Sequence, residues 1–188
     1  MDADGGFWVF GYGSLIWRPG FPVAERKLAT LHGWRRSFCM KSVEYRGTPE
    51  KPGLVLALDR EEGARCTGLA FRVAPEHARA SLDYLRAREL VTDAYHERRL
   101  TIRITGGRAL TAYAYTMNRD HWQYAGALPL ADQAEVIATA VGPNGPNAEY
   151  LHNTVESLRA LGLHDEELET LERLVRAKSA IGMARPRR

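Results

Sequence analysis

Two hydrophobic periodicities divide this chain, and the point where one gives way to the other narrows the choice of fold more than length or charge does. Up to Met117 the apolar residues mostly follow strand patterns, and beyond it they follow a helical spacing. Phe7 to Phe10 is a continuous apolar run that ends in Gly11-Tyr12-Gly13-Ser14, which predicts a buried strand entering a tight turn. Leu28 to Val43 is rich in strand formers and is interrupted by Gly33. Leu54 to Leu58 and Thr67 to Val73 read as two further strands, separated by the charged turn Asp59-Arg60-Glu61-Glu62-Gly63. Leu100, Ile102 and Ile104 alternate with polar neighbours. Gly106-Gly107 then turns the chain into Leu110 to Met117, a hairpin whose Tyr113 and Tyr115 share a face.

One helical stretch interrupts the strands. Pro75 suits a first turn, and Ala78, Leu82 and Leu85 form a stripe that runs to Leu90. Three helices are expected after Met117. The first covers Leu130 to Val141. The second begins at Asn147 as N-cap and stops at Gly162, and the third is capped by Asp165 and carries Arg173 and Arg176 in its last turn. Five or more strands with one inserted helix and C-terminal helices predict an α+β fold built on a small mixed or antiparallel β-barrel. The whole chain, 1–188, reads as one domain, with 1–6 and 179–188 as flexible ends.

Composition removes several classes of function. The net charge of +3 comes from the tail, where Arg176, Lys178, Arg185, Arg187 and Arg188 stand without an acidic neighbour, so the rest sums to about −2. No nucleic-acid partner is expected from that distribution. No run approaches the roughly 18 apolar residues of a membrane span, and the acidic start Met1 to Gly6 has no basic region leading into an apolar stretch, so a cytoplasmic location is expected. Cys39 and Cys66 lack metal or redox spacing and are expected as buried free thiols. The six histidines form no HxxxH or HExxH pair, so neither a metal nor a cofactor is expected. Gly11-Tyr12-Gly13-Ser14-Leu15-Ile16 matches neither a nucleophile elbow nor a nucleotide fingerprint.

Two features carry chemistry. The glycine-flanked turn exposes backbone N–H groups that suit an anion, although small residues also end strands for no other reason. Glu89 continues the stripe of Leu82 and Leu85 at i+7 and i+4, close to a helix C-terminus. Burial and the macrodipole both disfavour its charge there, which suits a base working near neutral pH. The plainer alternative is a solvated carboxylate paired with Arg86 or Arg88.

Five stretches, in order, resemble the ChaC family of glutathione-specific γ-glutamylcyclotransferases. They are Trp8 to Trp17, Arg46-Gly47-Thr48-Pro49, Lys51-Pro52-Gly53, Tyr84-Leu85-Arg86-Ala87-Arg88-Glu89, and Gly142 to Leu151. The resemblance implies the cyclotransferase barrel, with glutathione as substrate and Glu89 as acid/base. It also implies that Tyr12, Gly13, Ser14 and Leu15 hold the γ-glutamyl group, and it adds Tyr95 and Tyr150 as pocket residues. Where many relatives have a glycine between Glu89 and Tyr95, this chain reads Leu90-Val91-Thr92-Asp93-Ala94, and Asp93 is a residue that can tolerate a left-handed backbone there. Two other functions fit the same residues. One is a cyclotransferase for other γ-glutamyl amines or dipeptides, and the other is a non-catalytic regulatory or binding module.

Overall fold

The computed structural model describes residues 2–184, and side chains as far as Ser179. Eleven elements follow in chain order among the described residues. They are β1 (Phe7–Gly11), β2 (Glu25–Ser42), β3 (Gly53–Val73), α1 (Pro75–Glu89), β4 (Tyr95–Ile104), β5 (Ala109–Met117), α2 (Leu130–Thr139), β6 (Val141–Gly142), β7 (Gly145–Pro146), α3 (Asn147–Ala160) and α4 (Glu166–Ala184). A single 3-10 turn, Ser14–Ile16, follows β1. The chain falls into two units, the residues up to Ser37 with Ala57–Tyr124, and Phe38–Leu56 with the chain from Ala125 onward.

The first unit is built on the expected barrel, closed in the order β1-β3-β2-β4-β5. β1 pairs antiparallel with β3 (Phe7↔Val73 to Gly11↔Leu69) and parallel with β5 (Trp8↔Ala112, Val9↔Tyr113). All five of its residues are buried, so both faces of the strand are covered, as the continuous apolar run required. β4 and β5 form the predicted hairpin, closed by Ile104 N–H donating to the Arg108 carbonyl at 3.0 Å. Ile102 and Ile104 point inward from β4, and the residues between them face solvent.

Two strands run further than the sequence suggested. β2 continues through Gly33 and β3 continues through the charged segment Asp59–Gly63. Gly33 and Gly63 both sit at φ +78°, so each strand bends at a glycine that tolerates this backbone instead of ending there. Helix α1 spans almost the predicted residues and buries Ala78, Leu82 and Leu85. Each fully buried leucine contributes about 1.5–3 kcal/mol, enough to hold the helix down while its C-terminal carboxyl is taken partly out of water.

The second unit holds the ends of β2 and β3 with α2, α3, α4 and the short ribbon β6–β7. Its core includes Phe38, Leu54, Ile137, Leu151, Val155 and Leu171. Asn147 does not cap α3 with its side chain, for Pro146 occupies that position. Its amide is instead fully buried, accepting from Leu54 N–H at 2.7 Å and donating to the Leu54 carbonyl at 2.7 Å, which satisfies a strand residue on both of its backbone groups. Asp165 does cap α4, accepting from Leu168 N–H at 3.2 Å, but the helix continues past Arg176 to Ala184. The remaining tail arginines lie outside the described residues. No described helix is long and apolar enough to cross a membrane. Cys39 and Cys66 are buried and unbridged, as expected.

Candidate active site

The glycine turn leaves the buried end of β1. A Cβ at Gly11 would stand 2.6 Å from the Phe71 ring and 3.2 Å from the Leu15 side chain, so only glycine lets the strand turn this tightly. Tyr12 and Leu15 are buried, and Ser14 is half-buried. The turn is held at both ends of Tyr12. Its hydroxyl donates to the Tyr115 carbonyl at 2.9 Å, and its carbonyl accepts from Arg36 Nη1 at 2.7 Å. The other Arg36 nitrogen donates to the Thr67 carbonyl on β3. Ser14 and Leu15 begin a helical turn, where backbone N–H groups have no intrahelical acceptor.

Glu89 is the last residue of α1, on the line of Leu82 and Leu85, and its side chain is only 15% exposed. Burial pushes its carboxyl above the ordinary value, while the Arg88 guanidinium pulls the other way, with Nε 3.0 Å from Glu89 Oε1. Both sequence readings of Glu89 therefore contain a true part: it is paired with Arg88, and burial still wins. The same Arg88 donates from Nη2 to Ser14 Oγ at 2.9 Å. A single side chain thus joins the predicted carboxylate to the predicted turn.

A third group faces this carboxylate from the hairpin. Tyr115 on β5 is buried, and its hydroxyl donates to Glu97 Oε2 on β4 at 3.3 Å. Burial, then the charges of Glu97 and Glu89, push the phenol well above its ordinary range. Glu97 is held by Arg86 of α1, whose Nη2 lies 2.7 Å from Oε1, so the end of the helix is pinned to β4. Sequence reasoning missed Arg88, Glu97 and Tyr115 as site residues. Counting outward from Gly106-Gly107 as a two-residue turn would have paired Glu97 with Thr116; the observed ladder is shifted by one residue and sets Glu97 opposite Tyr115.

Tyr95, half-buried, opens β4 opposite Met117 and shares the face of the ladder that carries Glu97 and Tyr115. The loop before it does not use a left-handed aspartate. Among the described residues no non-glycine has a positive φ, and Asp93 instead gives its carbonyl to Asn118 Nδ2 at 2.9 Å. Side-chain anchoring of the loop, with Thr92 Oγ1 donating to Gln123 Oε1 at 2.9 Å, replaces the turn that a glycine would make. Tyr150 belongs to the second unit. It is 8% exposed, meets Phe38 edge-on at 5.9 Å and lies under Arg46 at 6.0 Å. There two of the three remaining motifs meet: Arg46 Nη1 donates to the Pro146 carbonyl at 3.0 Å, and a Cβ on Gly142 would stand 2.4 Å from the Tyr45 and Gly47 backbones. Among the described residues no group of His, Cys, Asp and Glu is arranged to hold a metal.

A five-stranded closed barrel with a helix packed beside a glycine turn is the fold of γ-glutamyl cyclotransferases. A crystal structure of a γ-glutamyl cyclotransferase specific to glutathione from yeast superimposes with a TM-score of 0.84 at 26% identity, covering 92% of this chain and 96% of that one. A further γ-glutamyl cyclotransferase structure shares the fold at a TM-score of 0.58 and 16% identity, over 89% of this chain and 86% of that one. The chain belongs to the ChaC-like protein family, which it matches over residues 7–178. It is 38% identical to the glutathione-specific γ-glutamylcyclotransferase of Escherichia coli over 89% of its own length and 72% of the relative's. It is 35% identical to γ-glutamylcyclotransferase 2-3 of Arabidopsis thaliana over 90% of this chain and 88% of that one.

Proposed function

We propose that this protein is a glutathione-specific γ-glutamylcyclotransferase, splitting glutathione into 5-oxoproline and L-cysteinylglycine with Glu89 as general acid/base. The observation that carries this reading is the buried Glu89 carboxyl, biased toward its protonated form, joined through Arg88 to Ser14 of the turn. The names of its relatives supply the substrate class. Tyr12, Gly13, Ser14 and Leu15 hold the γ-glutamyl group, with Tyr95 as a further substrate contact. Two buried cysteines that form no disulfide suit a reducing cytoplasm, where glutathione is available.

The chemistry needs no external nucleophile. Glu89 takes a proton from the substrate's α-ammonium, and the freed amine attacks the γ-carbonyl carbon to close a five-membered ring. The amide C–N bond breaks as Glu89 returns its proton to the departing nitrogen. The second proton of the ring nitrogen follows the same route and leaves on cysteinylglycine as its ammonium. A carboxyl of raised pKa serves both steps, because it is basic enough to accept the proton and acidic enough to give it back. Backbone N–H groups of the turn receive the α-carboxylate or the developing oxyanion. Folding the γ-glutamyl chain against the turn supplies the orientation that free glutathione lacks.

The test is release of 5-oxoproline from reduced glutathione by the purified protein, with chelator present, for wild type and Glu89→Gln. The expected result is release by wild type and a loss of about 10²–10⁴-fold in the variant, with the fold retained. A folded Glu89→Gln protein of near-normal activity would overturn the assignment. Release from other γ-glutamyl amines and not from glutathione would move the substrate while keeping the chemistry.

A further inference from the structure

We propose that Arg88 is a positioning residue for this reaction, a guanidinium that fixes the Glu89 carboxyl and the glycine turn in one frame. The inference rests on the cyclotransferase reading of that site. All three nitrogens of Arg88 are engaged, each in a different direction. Nε meets Glu89 Oε1 at 3.0 Å, and Nη2 donates to Ser14 Oγ at 2.9 Å. Nη1 reaches the carbonyls of Arg18 at 2.6 Å and Pro19 at 3.3 Å, and the Tyr84 hydroxyl at 3.3 Å. The side chain is 20% exposed.

A surface arginine gains little from a single carboxylate, because ordering its long side chain offsets the attraction. Here one ordered side chain reaches the start of the 3-10 turn, the chain just beyond it and the acid/base. A flat fork of five N–H donors can do this, whereas a lysine ammonium carries the charge at one point and reaches only part of the set. The consequence for turnover is geometric. The amine released by Glu89 must reach a carbonyl held by the turn, and a misplacement of about 1 Å between the two costs on the order of a hundredfold.

Arg88 also opposes burial in setting the ionisation of Glu89. The other groups facing this carboxyl are Tyr115 from β5 and, bonded to Tyr115, Glu97 of β4 with its partner Arg86. None of these is a cation in direct contact with Glu89 in the described geometry. Without Arg88 the carboxyl therefore holds its proton to higher pH, and less of it is available as a base at neutrality.

Two substitutions separate the geometric part from the electrostatic part. Arg88→Met removes both charge and fork; Arg88→Lys keeps the charge alone. For Arg88→Met we expect kcat to fall ten- to a hundredfold and the acidic limb of the kcat profile to move to higher pH. Arg88→Lys should return the limb toward its wild-type position while kcat stays at least fivefold low. Ser14→Ala, which cuts the link to the turn and leaves the ion pair intact, should lower kcat without moving the limb. Titration of carboxyl-labelled protein by 13C NMR, with the Glu89 signal assigned by its loss in Glu89→Gln, reads the ion pair without turnover. It should show Glu89 titrating higher in Arg88→Met. The proposal is overturned if Arg88→Met keeps kcat within twofold and leaves the Glu89 titration in place, or if Arg88→Lys behaves as wild type in both. A wild type inactive on every γ-glutamyl compound would instead remove the reaction, and the NMR titration would still judge the ion pair.

Discussion

Two buried carboxylates, one in each unit, have opposite chemistry. Glu89 of α1 is 15% exposed, meets one cation and titrates above its ordinary value. Glu172 of α4 is 4% exposed and titrates below. Glu172 is ringed by His152 Nδ1 at 3.1 Å, Arg159 Nη2 at 3.0 Å and Arg176 Nη2 at 3.0 Å. Burial pushes it up, but the hydrogen bonds from Arg176 and His152 and the charges of Arg159 and Arg176 outweigh burial. Partners outweigh burial at Glu172 and do not at Glu89. Two guanidiniums and the His152 imidazole hold Glu172 in its charged form and tie α3 to α4, whereas the single Arg88 guanidinium leaves Glu89 biased toward its protonated form.

The largest effect on stability should come from the crowded site. Glu172→Gln is expected to cost about 2 kcal/mol, or roughly 4–8 °C in Tm for a chain of this size. The sign with pH follows from a lowered carboxyl. Its contribution is complete above the ordinary value of 4.5 and is lost as pH falls through the lower folded value. The Tm gap between wild type and Glu172→Gln should therefore hold from pH 8 to 5 and close in stronger acid. A gap that stayed constant into strong acid would mean that the two guanidiniums and His152 do not hold the charge.

Glu89→Gln should do the opposite, and by less. A carboxyl whose folded pKa is raised favours the folded state while protonated, and that contribution is lost as pH rises through the folded value. The variant should be more stable than wild type at pH 8 by a few degrees at most, with the gain vanishing near pH 4. Thermal melts at the two pH values measure this. A Glu89→Gln protein less stable than wild type at pH 8 would mean that the Arg88 pair outweighs burial, and the contrast with Glu172 would fall.

The sequence singled out Glu89 and not Glu172, for a physical reason. Glu89 announces itself by interrupting an apolar stripe, a pattern visible within two turns of one helix. The strand entering the glycine turn, the hairpin at Gly106-Gly107 and the barrel class were legible on the same local grounds. Interactions across the chain were not. Ser14 and Arg88 are 74 residues apart and Leu54 and Asn147 are 93 apart. Asn147 looked like a cap because local propensity favours one, but a buried backbone pair on β3 claimed its amide first. Gly33 and Gly63 looked like strand breaks, and the sheet absorbed them as bends. The ring around Glu172 draws on two helices whose charged residues each read as solvated surface.

The smallest effect sharpens the comparison from the hairpin side. Tyr115 lies between the two descriptions: buried as fully as Glu172, yet surrounded by carboxylates rather than cations, with Glu97 accepting from its hydroxyl and Glu89 felt at a distance. Negative neighbours and burial act in the same direction on a phenol, so it stays protonated through the working range and serves as a fixed donor. Tyr115→Phe removes one hydrogen bond and no charge, worth about 0.5–1.5 kcal/mol, which corresponds to a two- to tenfold fall in kcat. Because the phenol does not ionise, the alkaline limb of the pH profile should keep its wild-type position in the variant. Loss of that limb in Tyr115→Phe would identify the phenol as a titrating group. The negative field of Glu97 and Glu89 would then be weaker than their burial implies, and Glu89 would owe its raised pKa to something other than a shortage of cations.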